Sequence, residues 1–475
     1  MLRIRLPVLA VLLLVTARPG LAGSNAQVDP GELGAFVDSF MVDAMAKPND
    51  PPGVSFVFVQ DGRVVLMRGY GLANIERNQK VDPEKTIWRI GSISKAFTAT
   101  AVMQLVDRGK VDLDAPVDRY VHRVTIPKTY PEAVTLRHLL THTAGFDEIR
   151  PGTQAATRED VLPLDKFLAN KLVRVRAPGQ IIAYSTYGIT LAGLLVEEVS
   201  KTGIETYFRK HIWGPLGMKH TSIYVPDDQQ DNVAIGYEFE DGNRVPQAWE
   251  WYHTTPASAI NATTADMARF LLMNLEGGAV DGKRVLSRRA IDEMHTLQIT
   301  MDPNIPGYAL GFNEDFIGDL RVLEHGGNVA GFSSLMVMLP SKRAGFFVVN
   351  QLEGSALRNN LKWGLLERFF PEARKKRPVP ATLPSVATVR PERFAGDYIP
   401  LVSCFSCQPV RASSVLKVTA NDDGTLGFAG GRWIQVAPWR FVKESGSGYI
   451  VFRPDGKGQV HELFAGAYWG WQKTQ

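Results

Sequence analysis

Ile90-Gly91-Ser92-Ile93-Ser94-Lys95-Ala96-Phe97-Thr98 is the stretch on which the reading of this chain turns. Ser92 and Lys95 stand three apart, and a helix turns once in about 3.6 residues, so on a helix they share a face. Ala99, Ala101, Val102, Met103, Leu105 and Val106 carry the apolar run on until Arg108-Gly109-Lys110 stops it. The pattern predicts a buried helix with Ser92 at its mouth, where unpaired N–H groups and the helix dipole favour developing negative charge. A serine hydroxyl is a weak nucleophile until a base stands beside it. A lysine is such a base once burial disfavours its ammonium form. S-x-x-K is common by chance and, alone, reads as an N-cap beside a solvated lysine. It acquires chemistry only if the chain also supplies an oxyanion hole, a second base and a cleft.

Two later stretches offer those parts. Ala177-Pro178-Gly179-Gln180-Ile181-Ile182-Ala183-Tyr184-Ser185-Thr186 reads as a turn, a short buried strand and a loop, with a helix from about Thr190 to Val199 closed near Gly203. Polar residues at a strand-to-helix junction often face a cleft. Tyr184 there is a candidate general base if nearby cations depress its pKa; an isolated tyrosine is more often packed with its hydroxyl satisfied. Glu324-His325-Gly326-Gly327-Asn328 precedes two neighbouring strands, Ser333 to Leu339 and Gly345 to Asn350. Paired glycines let a strand edge lie close to a ligand and offer an oxyanion donor, with His325 placed to bond substrate. Read alone, His-Gly-Gly is more often a tight turn.

The rest of the chain is organised around these. Asp29-Pro30 opens a helix with an apolar stripe from Leu33 to Ala44, and Val54 to Gln60 and Val64 to Tyr70 form a hairpin about Asp61-Gly62-Arg63. Thr135 caps a short helix that ends before Gly145. His138 and His142 have a zinc-helix spacing, but Leu139 stands where a metalloprotease needs Glu, so they read as a core or loop-bracing pair. A helix begins near Thr263, and Gly307 to Phe312 reads as the start of a strand. Prolines at 371, 378, 380, 384 and 391 with the basic run 374–377 mark a linker over 371–391. Short strands then recur at 415–419, 433–436, 449–452 and 460–464, a small antiparallel barrel or sandwich over 392–475.

At 475 residues, 45% hydrophobic and 21% charged, the chain is long enough for two or more domains. A net charge of +4 with no dense basic stripe argues against nucleic acid as a partner. Arg3 and Arg5, an apolar run from about Leu6 to Val15, and Gly20, Ala22 and Gly23 lay out a secretory signal peptide over 1–23, cut near Ala22 or Ala26. The alternative is an uncleaved N-terminal anchor. With the signal cleaved, no stable membrane span is expected, and the protein is expected in the periplasm or secreted. The two cysteines, Cys404 and Cys407, are able to form a disulfide in an exported protein, and their β-region context argues against a thioredoxin-type role.

Taken together, Ser92-x-x-Lys95, Tyr184-Ser185-Thr186 and His325-Gly326-Gly327, with Leu139-Leu140-Thr141-His142-Thr143-Ala144-Gly145 and Thr264-Ala265-Asp266-Met267 between them, resemble the class C β-lactamase-like serine hydrolases. That family also holds DD-peptidases, D-aminopeptidases and carboxylesterases. The resemblance runs from about Pro52 to Gln351, within a hydrolase domain expected over 27–370. It implies an α+β fold: an antiparallel sheet flanked by helices, plus an all-helical lobe, with the cleft between. It implies Ser92 as the acylated nucleophile, Lys95 and Tyr184 sharing the proton work, and the backbone N–H groups of Ser92 and Asn328 as the oxyanion hole. His325 takes the place of the K-T-G lysine, and Thr186, Gly326 and Gly327 line the substrate. No metal or organic cofactor is implied, and the partner is a small-molecule or peptide substrate.

Two departures bear on that substrate. Thr186 occupies the asparagine slot of Y-x-N and lacks the amide's donor pair. His325 replaces a lysine, and a neutral histidine holds a carboxylate less strongly near pH 7. Both point to an ester or peptide-like amide rather than efficient β-lactam turnover. The competing expectation is a protein that binds peptidoglycan fragments or penicillin with little or no turnover.

Overall fold

The computed structural model describes residues 27–241, 243–376, 390–412, 414–467 and 469–474. The signal-peptide reading over 1–23 and most of the 371–391 linker lie outside them; Pro371–Arg374 is a short 3-10 turn. The elements that frame the site, in chain order, are α1 (Pro30–Ala44), β1 (Gly53–Gln60), β2 (Arg63–Asn74), β3 (Gln79–Lys80), α2 (Ser94–Asp107), α3 (Leu136–Leu140), α4 (Thr186–Ser200), α5 (Thr264–Leu275), β4 (Asn313–Ile317), β5 (Leu320–Val329), β6 (Phe332–Leu339), β7 (Ala344–Asn350) and α6 (Leu357–Phe369).

The strands form one antiparallel sheet in the order β4-β5-β6-β7-β1-β2-β3. β1 is buried along its whole length because it is central and covered on both faces. Side chains alternate across a strand, so Phe56 and Phe58 pack on one face with α1 and α6 (Leu33, Val37, Leu361, Leu365). Val57 and Val59 join the other face, where α2 and α5 lie and Phe97 stacks on Phe270 at 3.9 Å. α2 is buried almost all round, as its unbroken apolar sequence requires, because α4 and the helices Thr255–Ser258 and Arg288–His295 pack on it and Phe97 stacks on Phe270 of α5. A helical lobe built on α3 and α4 faces the sheet across the cleft.

The C-terminal part closes into an eight-stranded barrel running from Gly396–Pro400 to Gly470–Lys473. Strand alternation is the same in a sandwich and a barrel; pairing of the first strand with the last, Tyr398 opposite Lys473, decides for the barrel. Phe394, Phe441 and Phe452 fill it. Cys404 and Cys407 are joined by a disulfide.

Three local expectations are corrected. Residues 181–183 belong to no strand; they are buried against the barrel instead of a sheet neighbour. The helix expected from Thr190 starts at Thr186, because the Ser185 hydroxyl caps it by accepting from Gly188 N–H, and it ends with Lys201 left-handed at φ +58°, before Gly203. Gly307 to Phe312 is not a strand: Tyr308 makes only isolated bridges to Ile299 and Asn313, and β4 begins at Asn313.

Candidate active site

Ser92 lies in a 3-10 turn, Gly91–Ile93, that runs straight into α2. Several contacts fix this turn. The Ser94 hydroxyl donates to Gly91 O at 2.6 Å and accepts from Ile260 N–H at 3.1 Å, and the Ser334 hydroxyl donates to Ile90 O at 2.9 Å. Gly91 has φ +55°, a conformation that costs a side-chain-bearing residue. A Cβ on Gly91 would also meet Asn328 N at 3.1 Å, so the turn and β5 touch through bare backbone.

Lys95 stands one turn on, 1% exposed. Its Nζ donates to Ser92 Oγ at 3.1 Å and to Ala257 O at 2.9 Å, and lies 4.8 Å above the Tyr184 ring. Burial disfavours its charge and brings its pKa down to about 7, against a smaller upward pull from Glu148. Near neutrality a large fraction of this amine is therefore an acceptor beside the serine hydroxyl.

Tyr184 arrives from the opposite lobe at the foot of α4. Its ring packs on His142 with centroids 4.3 Å apart. His142 Nδ1 accepts from Ser185 N–H at 3.1 Å, and His138 Nδ1 accepts from Thr135 N–H to close a capping box at α3. The pair braces loops, as its spacing without the metalloprotease Glu suggested. Burial, reinforced by Lys95 and His325, keeps His142 neutral.

His325-Gly326-Gly327 lies within β5, not in a turn. Val329 and Phe332 close a two-residue hairpin, so alternation makes Asn328 opposite Ser333 a non-hydrogen-bonded pair, with its N–H turned away from β6. On that outer side β4 pairs only as far as Glu324, so the edge at Gly326 and Asn328 is open to the cleft. Gly327 is required: a Cβ there would sit 2.0 Å from Ile90 O and 2.5 Å from Ser334 Oγ.

His325 is 2% exposed. Its Nδ1 donates to Gly326 O at 2.8 Å, which leaves Nε2 as the acceptor nitrogen; among the described residues it has no hydrogen-bond partner. Burial, then Lys95, push its pKa down to about 3, so it stays neutral at working pH. A neutral ring beside the cleft offers no charge for a carboxylate.

Thr186 is the first residue of α4. Its N–H donates to Glu148 Oε2 at 2.9 Å, so a half-buried carboxylate lies beside the slot where an amide side chain was missing. Burial raises the Glu148 pKa; Thr186 and Lys95 pull it back. Arg358 on α6 was also not foreseen. Its Nη1 donates to Gly327 O at 2.7 Å and Ser334 O at 2.5 Å. With the Asn328 amide oriented to satisfy both ends, Nη2 donates to Asn328 Oδ1 at 3.0 Å. Arg358 thus holds the glycine edge in register.

Ser92, Tyr184, Thr186, His325, Gly326 and Asn328 all line one cleft of about 790 Å³, with Glu148 and, from the barrel, Val402 and Trp469. Among the described residues no group of three or more His, Cys, Asp or Glu is disposed to hold a metal ion, and no helix is long and apolar enough to cross a membrane.

This fold and cleft define a class, the serine hydrolases of the β-lactamase and penicillin-binding type. Residues 41–367 match the Beta-lactamase family, and the chain belongs to it. Protein flp of Staphylococcus aureus (strain MW2) is 28% identical over 314 residues, 63% of this chain and 60% of that protein. The putative penicillin-binding protein PbpX of Bacillus subtilis (strain 168) is 29% identical over 241 residues, 50% of this chain and 58% of that one. The chain therefore spans about three-fifths of the length of these relatives. Among solved structures, the octameric penicillin-binding protein homologue from Pyrococcus abyssi has a TM-score of 0.60 at 25% identity, covering 94% of this chain and all of that one. A class C β-lactamase has the same score at 22% identity but covers 70% of this chain. The likeness to the first thus extends through the barrel.

Proposed function

We propose that this protein hydrolyses an ester or amide through a covalent acyl-enzyme on Ser92. The observation that carries the reading is the Lys95 amine, buried, poised near neutrality and 3.1 Å from Ser92 Oγ. Ser92 Oγ attacks the carbonyl carbon as its proton passes to Lys95, with Tyr184 sharing the transfer. The developing oxyanion is met by the N–H groups of Ser92 and Asn328. The proton then goes to the leaving group as its bond to the acyl carbon breaks, and water releases the acyl group by the reverse relay. A carboxylesterase-like or peptidase-like substrate is favoured over a β-lactam, because His325 is neutral and Thr186 is tied to Glu148 instead of offering an amide. The charged, apolar and small-residue layout of 1–23 supports export to the periplasm or outside the cell.

Ser92→Ala is expected to abolish hydrolysis of a short-chain activated ester while the wild type shows a transient acyl adduct on Ser92 by mass spectrometry; full activity in the variant overturns the mechanism. Thr186, with the penicillin-binding relatives, supports a second reading, capture of penicillin or a peptidoglycan fragment with little turnover. A stable adduct with a β-lactam and no released product from any ester would favour it.

A further inference from the structure

We propose that the C-terminal barrel is a working part of this site, with Asp147 as a positioning residue: the loop closed by Cys404–Cys407 seats on the Asp147 carboxylate and so fixes Glu148 and the first turn of α4, next to Tyr184. The inference rests on the acyl-enzyme reading above, since what is positioned is that machinery.

Asp147 is 1% exposed. A buried carboxylate needs donors, and here the barrel loop supplies them: Phe405 N–H at 2.9 Å, Ser406 N–H at 2.8 Å and the Ser406 hydroxyl at 2.6 Å. The Arg176 guanidinium covers the Phe405 ring at 4.3 Å and attracts the same carboxylate. Asp147 N–H donates to Val173 O at 2.8 Å, so its backbone is held as well. The next two residues carry this anchor into the site. Glu148 receives Thr186 N–H, and Ile149 O receives the Tyr187 hydroxyl. On the other side of Tyr184, Ile181 and Ala183 pack on Leu401, Val451 and Phe464 of the barrel, and Ile182 packs beside Ala467. Tyr184 is therefore bracketed before and after by segments that the barrel holds.

A seat that merely glued two domains would change stability alone. A positioning role also reaches Lys95, which faces Glu148, His142, His325 and Tyr184. The two histidines are neutral, so Glu148 is the charge that favours the Lys95 ammonium. Displacing Glu148 lowers the Lys95 pKa and moves the acid limb of activity to lower pH.

The test uses the full chain: Asp147→Asn, the double variant Cys404→Ser/Cys407→Ser, the milder Ser406→Ala, and Asp423→Asn as a control that breaks a pair with Arg432 inside the barrel. The first two are expected to lose about tenfold or more in kcat/KM for an activated ester, to shift the acid limb downward, and to speed hydrogen exchange in the peptide spanning 181–190. Ser406→Ala should move the same readouts less, and Asp423→Asn should leave them unchanged. Wild-type rate, limb and exchange in Asp147→Asn and Ser406→Ala would overturn the proposal. If no ester acylates wild-type Ser92, the hydrolase reading fails separately, and unchanged exchange over 181–190 then overturns the positioning role on its own.

Discussion

Lys95 titrates near pH 7 because its amine is sealed between α2, the Ala257 carbonyl and the Tyr184 ring, where solvation of a charge is lost. The neutral amine is the form that accepts the serine proton. Raising pH through about 7 deprotonates Lys95, so kcat/KM for an activated ester is expected to climb through that range and flatten above it; this profile reports the free enzyme. His325 adds no second limb there, since it has already lost its proton by about pH 3. A profile flat from pH 5 to 8 would show that Lys95 is not the base. The pairing of Ser92 with Lys95 was legible because a helix converts a spacing of three into contact. Glu148 and Arg358 were not legible. Each acts through a partner brought close only by the fold, Thr186 at a separation of 38 residues and Gly327 at 31, and no local spacing announces that.

The glycine-edged strand β5 shows how one element imposes a residue choice. Its backbone passes so close to the Ser92 turn that Gly327→Ala must displace Ile90 O or the Ser334 hydroxyl. Overpacking of this kind typically costs about 1–3 kcal/mol, and here it also pushes the Asn328 N–H away from Ser92. Gly327→Ala is expected to lower Tm and to cut kcat by about a hundredfold, the scale of losing one oxyanion donor; unchanged kcat would place the oxyanion elsewhere. His-Gly-Gly looked like a turn because glycine pairs usually serve conformational freedom, whereas β5 needs them for close approach. The 181–183 run misled in the opposite way. Its apolar residues resemble a strand, but the surface that buries them is a separate barrel, which periodicity does not reveal. α3 and the cap at Thr135 were legible because Thr and the following turn carry their own signal.

At the scale of the whole molecule the hydrolase fold and the barrel share an apolar seam of Ile181, Ala183 and Ile305 against Leu401, Val451 and Phe464. Phe464 is 1% exposed there, so Phe464→Asp puts a carboxylate into the apolar seam. Calorimetry is expected to show the barrel unfolding in the variant as a transition of its own, with Tm several degrees below that of the wild type; a variant profile unshifted from the wild type would show that the seam carries no coupling. The C-terminal β module was legible in its recurring short strands, but the seam was not, since its residues look like any inward face of a strand. The barrel's own closure has a further consequence. Its first strand lies beside its last, Tyr398 opposite Lys473, so the chain enters and leaves the module at neighbouring points. Spliced into a surface loop of another host, such a module would ask that loop to open by little more than the width of a strand pair, and would need a new cover for Leu401, Val451 and Phe464.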